Sequence, residues 1–480
     1  MQFIFDYRQN ICEKLSKMIG PPPDQLILIV TMLSVIPFCF LNYLIHGKYP
    51  RLIYSLVLGL FFQYLMYQMN FINIFATGVI TYLFIEFCGR KISASFVFFY
   101  TAIHLSVLHI IRLVYYYGEW TADDPTIIYM MTISKFSSLA FSYEDGAKKE
   151  IINKHHDEYK IIEKPSFLEV MSYIYFYPTS IVGPSFEFKD FINFINEKDC
   201  YTKLNEKFLY IFVNGFKYLI VSFICMAAYS IISNTFPLDY FIDKDFNHNL
   251  LYSLSYIFIS VPGVRAKYYS GWVLSYSTLV FSGLSYTEKK EGDKIERSFE
   301  KGSYGSIIKV EWNTNPKDII NDWNKPVHLW LKYTIYTRVI NIDNKIFKNN
   351  KPACNFLVFI YSAIWHGFYK SYYLSFGLLV CYKNACDILE KIGFYKFISK
   401  SKILTAITCI FNALAFETIG IIFWNLEWRD AMLGLKNIKY YPCIFIFGLY
   451  TITLLITMLF PKLLKKEKNE ENKDKVKKNI

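Results

Sequence analysis

Apolar residues in this chain fall into long unbroken runs, with little of the strict alternation of a half-buried strand or the heptad spacing of a coiled coil. A helix must bury about 20 apolar residues to cross a bilayer, because no water in the hydrocarbon satisfies an open backbone. Runs of that kind occupy Leu26–Leu44, Leu52–Met69, Phe71–Phe87, Phe96–Tyr117, Leu209–Ile232, Leu404–Phe423 and Cys443–Leu459. Shorter or interrupted runs cover Ile127–Phe141, Phe167–Val182, Leu251–Val261, Trp272–Leu284, Phe356–Phe368 and Tyr372–Leu389. The pattern predicts an all-α polytopic membrane protein with about ten or more transmembrane or re-entrant helices. Short pieces suit helices that line a cavity, and Lys383 and Asp387, four apart in the last run, are spaced to pair on one helical face.

Polar stretches divide the apolar body at Glu144–Lys164 and Thr287–Gly305, both expected as solvent loops, and again beyond Pro461. Residues 1–24 mix charged with apolar positions and end in Pro21-Pro22-Pro23, the pattern of an amphipathic interfacial lead-in and not of a cleaved signal peptide. A single membrane domain is expected over 25–461, with a basic tail over 462–480. The tail sets eight lysines against four acids, which favours the cytosolic side. Its end, Lys477-Lys478-Asn479-Ile480, resembles the di-lysine signal that returns membrane proteins to the endoplasmic reticulum. A solvated lysine-rich tail accounts for the same residues.

Composition agrees with the runs. Of 480 residues, 53% are hydrophobic, 19% aromatic and only 19% charged, with a mean hydropathy of +0.23. Disorder and a disulfide scaffold are excluded, since each needs polar or cysteine content missing here. The ten cysteines form no CxxC pair, and Cys39, Cys225, Cys409 and Cys443 lie inside apolar runs, as small buried hydrophobes do. The net charge of +12 points to anionic headgroups and cytosolic loops before nucleic acid. No metal-binding, phosphate-loop or serine-hydrolase motif stands out.

Two segments carry chemistry. His366 is the only ionisable group in Phe356–Phe368. An imidazole there costs free energy unless a partner or a wet cavity receives it. Desolvation also favours the neutral ring, the form able to accept a proton. Read alone, the segment leaves a core histidine and a general base equally open. In the second, Pro326 fits the first turn of a helix that sets Val327, Trp330, Leu331 and Ile335 on one face and His328, Lys332 and Tyr336 on another. Asn324 precedes that start, where its amide either caps the helix or meets a substrate. Arg265, Lys267, Tyr268 and Tyr269 form a basic-aromatic cluster, either an interfacial anchor or a phosphate contact.

Together these segments resemble the membrane-bound O-acyltransferase family, and within it the eukaryotic lysophospholipid acyltransferases. Trp323-Asn324, followed after five residues by Trp330-Leu331-Lys332, is similar to the family's asparagine motif. Ser362-Ala363-Ile364-Trp365-His366-Gly367 is similar to its histidine motif. The likeness continues in Ser134–Phe141 with Asp145-Gly146, in Lys164-Pro165-Ser166 with Gly183-Pro184-Ser185-Phe186, and in Arg265–Tyr269 with Ser282-Gly283-Leu284. Pro326-Val327-His328 departs from the phospholipid branch and is similar to the sterol and diacylglycerol branch.

The resemblance implies acylation of a lysophospholipid to a diacyl phospholipid, with acyl-CoA as co-substrate and no bound cofactor or metal. His366 would be the general base and Asn324 the group that positions the hydroxyl or meets charge on the carbonyl oxygen. Arg265, Lys267, Tyr268, Trp323, Lys332 and Trp365 are the candidate substrate-binding residues, with Arg265, Lys267 and Lys332 guiding the anionic CoA. The alternatives are diacylglycerol or sterol acylation, acylation of a protein, and a transporter that uses His366 as a proton relay.

Overall fold

A computed structural model describes residues 2–19, 22–115, 124–150, 152–292 and 294–460. The basic tail expected over 462–480, with its Lys477-Lys478 pair, lies outside the described residues. Among the described residues, six helical stretches are long and apolar enough to cross a membrane: Pro23–Leu44, Lys48–Phe87, Arg90–Tyr115, Leu204–Phe241, Lys402–Trp424 and Tyr441–Leu459. The protein is an all-α polytopic membrane protein.

Helix Arg90–Tyr115 shows why these segments suit lipid. Ser93, Val97, Thr101, Leu105, His109 and Arg112, three or four residues apart, form its buried stripe, while Ile92, Phe99, Ile103, Ile110 and Val114 are exposed. Polar groups face protein and apolar ones face outward, the reverse of a soluble amphipathic helix. The lead-in forms a helix, Gln2–Ile19.

Two sequence expectations change. The runs Leu251–Val261 and Trp272–Leu284 belong to one helix of 33 residues, Leu250–Ser282. The basic-aromatic cluster therefore lies in mid-helix and not beside a span. Thr287–Gly305 is not simply a loop: Tyr286–Glu291 and Lys294–Phe299 pair as an antiparallel hairpin. Glu288 faces Arg297 there at 3.8 Å, and the Thr287 and Ser298 hydroxyls meet at 2.7 Å.

The chain divides into two compact units: residues 1–230, 266–304 and 324–341 form the first, and 231–265, 305–323 and 342–480 the second. The first is rich in buried tyrosines whose hydroxyls reach backbone carbonyls. Tyr67 bonds Ile181 O at 2.6 Å, Tyr173 bonds Phe186 O at 2.6 Å and Tyr201 bonds Leu284 O at 2.7 Å. Each ring fills apolar space while its hydroxyl answers an otherwise open carbonyl. Buried Lys135 ends between Thr179 Oγ1, at 2.9 Å, and the carbonyls of Tyr173 and Ile174.

The second unit packs Phe241, Tyr256, Ile257, Leu378, Tyr382, Ile419, Ile421, Leu435 and Ile446 into one core. Its polar groups pair internally. Lys383 and Asp387 meet at 2.6 Å, as their spacing predicts. Asn355 donates to Asn384 at 2.7 Å, and Asn412 donates to the carbonyls of Asn313 and Thr314.

Candidate active site

Helix Lys351–His366 ends at the histidine. Gly367 comes next at φ 128°, ψ −172°, a conformation that side-chain-bearing residues avoid, and its N–H closes onto Ala363 O and Ile364 O at 3.1 Å. The helix stops there because only glycine takes that turn without strain. His366 sits in an aromatic frame within the second unit. Phe423 meets it edge-on at 4.9 Å, Phe376 lies more nearly parallel at 5.3 Å, and Tyr372 and Trp365 stand at 5.6 and 4.7 Å. These rings limit water around an imidazole that is itself only half-buried.

Asn324, in the first unit, starts helix Lys325–Leu331. Pro326 lies in its first turn, and Val327, Trp330, Leu331 and Ile335 are buried while Lys332 is exposed, as the spacing predicts. The capping alternative fails: the amide makes no cap hydrogen bond. The backbone stands at φ 46°, ψ 57°, a left-handed conformation that asparagine tolerates better than most residues. Strain of this kind concentrates at functional positions.

Beyond this helix the chain makes a π-turn, Lys332–Tyr336, which the sequence pattern did not foretell. Two consecutive histidines of the Glu144–Lys164 stretch hold it. The His155 ring stacks on the Tyr333 ring at 3.6 Å and 9°, and His156 Nε2 lies 2.9 Å from Tyr333 O. A carbonyl only accepts, so that nitrogen carries a proton. Burial pushes the His156 pKa below the ordinary 6.5, opposed by the Tyr333 carbonyl. Arg338, just past the turn, grips Asp145 through two bonds of 2.9 and 2.6 Å.

The other sequence candidates have distinct surroundings. Arg265 is buried and doubly engaged: Glu417 accepts from it at 2.7 and 2.9 Å, and Glu311 accepts from Nε at 2.8 Å. Both carboxylates escaped the sequence reading, though Glu417 is the only charge in Leu404–Phe423 and the criterion applied to His366 selects it. Lys267 is exposed, with its ammonium 5.8 Å from the Tyr229 ring. Tyr268 packs on Trp272 at 5.8 Å. Exposed Lys332 reaches over the Tyr333 ring at 5.1 Å. Trp323 caps helix Pro316–Asp322, its N–H on Ile319 O at 2.9 Å, and Trp365 is buried against His366. By unit, Lys267, Tyr268, Asn324 and Lys332 fall in the first, and Arg265, Trp323, Trp365 and His366 in the second.

The sequence pattern of the membrane-bound O-acyltransferase family matches residues 70–414, well over half of the chain and including both motifs. The chain belongs to that family. Among curated relatives of this family member, Lysophospholipid acyltransferase 6 of Drosophila melanogaster is 25% identical over 86% of this chain and 57% of its own length. Lysophospholipid acyltransferase of Saccharomyces cerevisiae is 26% identical over 67% of this chain and 54% of its own. Membrane-bound glycerophospholipid O-acyltransferase 1 of Mus musculus is 28% identical over 75% of each. The chain thus spans little more than half the length of the first two relatives.

Proposed function

We propose that this O-acyltransferase family member transfers an acyl group from acyl-CoA to a lysophospholipid hydroxyl, giving a diacyl glycerophospholipid and free CoA. The observation that carries the reading is His366. It is the centre of the Trp365-His366-Gly367 motif, framed by Phe376 and Phe423, in a family in which two of the relatives named above are lysophospholipid acyltransferases. Neutral His366 takes the acceptor's hydroxyl proton as the oxygen attacks the thioester carbonyl. The carbon–sulfur bond then breaks, and the leaving thiolate takes the proton from the imidazolium, so the histidine returns neutral.

Asn324, whose amide does not cap its helix, orients the hydroxyl or donates to the carbonyl oxygen as charge develops. The aromatic frame suppresses competing attack by water on the thioester. Lys267 and Lys332, exposed and without a carboxylate partner among the described residues, are the better placed of the three proposed cations to guide CoA phosphates. Arg265 already answers two carboxylates. The proposed setting is the endoplasmic reticulum membrane, with the basic tail on the cytosolic face.

The test is the purified protein with mixed acyl-CoAs, a panel of lysophospholipids, diacylglycerol and a sterol, read by mass spectrometry. Diacyl phospholipid supports the proposal and identifies the headgroup. A second reading, acylation of diacylglycerol or a sterol, rests on Pro326-Val327-His328. Triacylglycerol or sterol ester as the sole product overturns the first reading in its favour.

A further inference from the structure

The π-turn at Lys332–Tyr336 carries a consequence for Asn324. A π-turn holds one residue more than the α-turn it replaces, and such turns are rare, short and frequent at functional sites. Each residue of an α-helix advances about 100° around the axis and about 1.5 Å along it. Were this turn to relax to α-geometry, everything before it would rotate by about 100° against everything after it. The C-terminal side of the turn is fixed, because Arg338 holds Asp145 through both guanidinium nitrogens. Its N-terminal side is the helix that begins at Asn324.

Both histidines grip the turn at Tyr333. His155 covers the Tyr333 ring face to face. His156 Nε2 donates to the Tyr333 carbonyl at 2.9 Å, and the Thr337 hydroxyl donates to the same oxygen at 3.1 Å. Asn153 fixes the backbone from which both rings project, its side chain accepting from His156 N at 3.1 Å. Glu187 stands 3.5 Å from His155 Nε2. His156 Nδ1 is buried and has no partner among the described residues, so the ring serves the carbonyl alone.

We propose that His155 and His156 are positioning residues for Asn324, holding the π-turn and thereby setting the angular phase at which the helix presents the asparagine amide. The inference rests on the reading of Asn324 given above. All the residues involved lie in the first unit.

Full-length protein with His156→Gln, His156→Asn and Asn324→Gly tests it. Glutamine carries its amide nitrogen to the Nε2 position, within reach of the carbonyl, and asparagine stops short. We expect H156N to lower kcat by roughly 10- to 100-fold, the scale of a misplaced catalytic group, with KM for both substrates near wild type. H156Q should restore most of the rate. H156N combined with N324G should be no slower than N324G alone. Equal rates for H156Q and H156N, or losses that multiply in the double variant, overturn the proposal while N324G alone stays slow. Full activity of N324G removes the asparagine's role and the proposal with it. Amide exchange over residues 333–338 keeps the two failures apart: quickened in H156N but not H156Q, it shows the clamp itself holding when Asn324 is what fails. A variant whose exchange is raised throughout the chain is misfolded, and the H156Q comparison then decides.

Discussion

His366 and Asn324 owe their geometry to neighbouring residues that any substitution has to respect. Gly367 stands at φ 128°, ψ −172°, a region open essentially to glycine alone, so Gly367→Ala should cost roughly 1–3 kcal/mol and disturb the end of the histidine helix. Loss of both thermal stability and activity in detergent checks it. At Asn324 the left-handed backbone recommends glycine over alanine as the probe, because glycine keeps that backbone and removes only the amide. We expect Asn324→Gly to fold like wild type and to turn over more slowly; an unchanged rate assigns the residue to backbone geometry alone. His366 stood out as a candidate because it is the lone histidine, and no charged residue accompanies it, in its run. The state of Asn324 was not, since φ and ψ are set by what packs on both sides of Trp323-Asn324.

At the scale of elements, the long apolar runs gave helices much as their period and length require. Charges that meet across elements were beyond reach. Arg265 read as an interfacial anchor or a phosphate contact because its carboxylates lie 46 and 152 residues away in sequence. Removing Arg265 leaves buried Glu417 as an uncompensated charge, so Arg265→Met should destabilise the protein by about 3–5 kcal/mol. Adding Glu417→Leu removes the buried carboxylate and leaves only the partly exposed Glu311 without its partner, so the double variant should recover part of that loss in a thermal melt. The hairpin escaped prediction because Tyr-Thr-Glu-Lys-Lys-Glu and Lys-Ile-Glu-Arg-Ser-Phe lack apolar alternation and pair through charge, hydroxyl and ring contacts instead. The histidine clamp predicts a dependence on pH. Burial lowers the His156 pKa in the fold, opposed by the Tyr333 carbonyl and Asp145 and assisted by Arg338 and His155. The unfolded chain therefore binds the proton more readily, and stability from this ring is full above about pH 6.5 and lost as pH falls through the depressed value. Amide exchange around the π-turn, corrected for intrinsic rates, should quicken below that pH in wild type and not in H156Q.

In the described helices long enough to cross a membrane, many large apolar side chains are exposed while polar ones such as Thr77, Ser93 and Thr101 are buried. That arrangement explains how a chain with 19% charged residues still carries interior ion pairs such as Arg265 with Glu417 and Arg338 with Asp145. Family membership was legible because several separate motifs fall in order along the chain. The headgroup of the acceptor was not, because no residue pattern in the chain specifies one. The proposed function turns on His366 as the base for acyl transfer to a lysophospholipid. Its most direct test is the initial rate of diacyl phospholipid formation by purified wild type and by His366→Ala, matched for folding by thermal melt and size exclusion. The account predicts a loss of roughly 10²- to 10⁴-fold, the worth of a positioned general base. A well-folded His366→Ala protein that acylates lysophospholipid at the wild-type rate would contradict it.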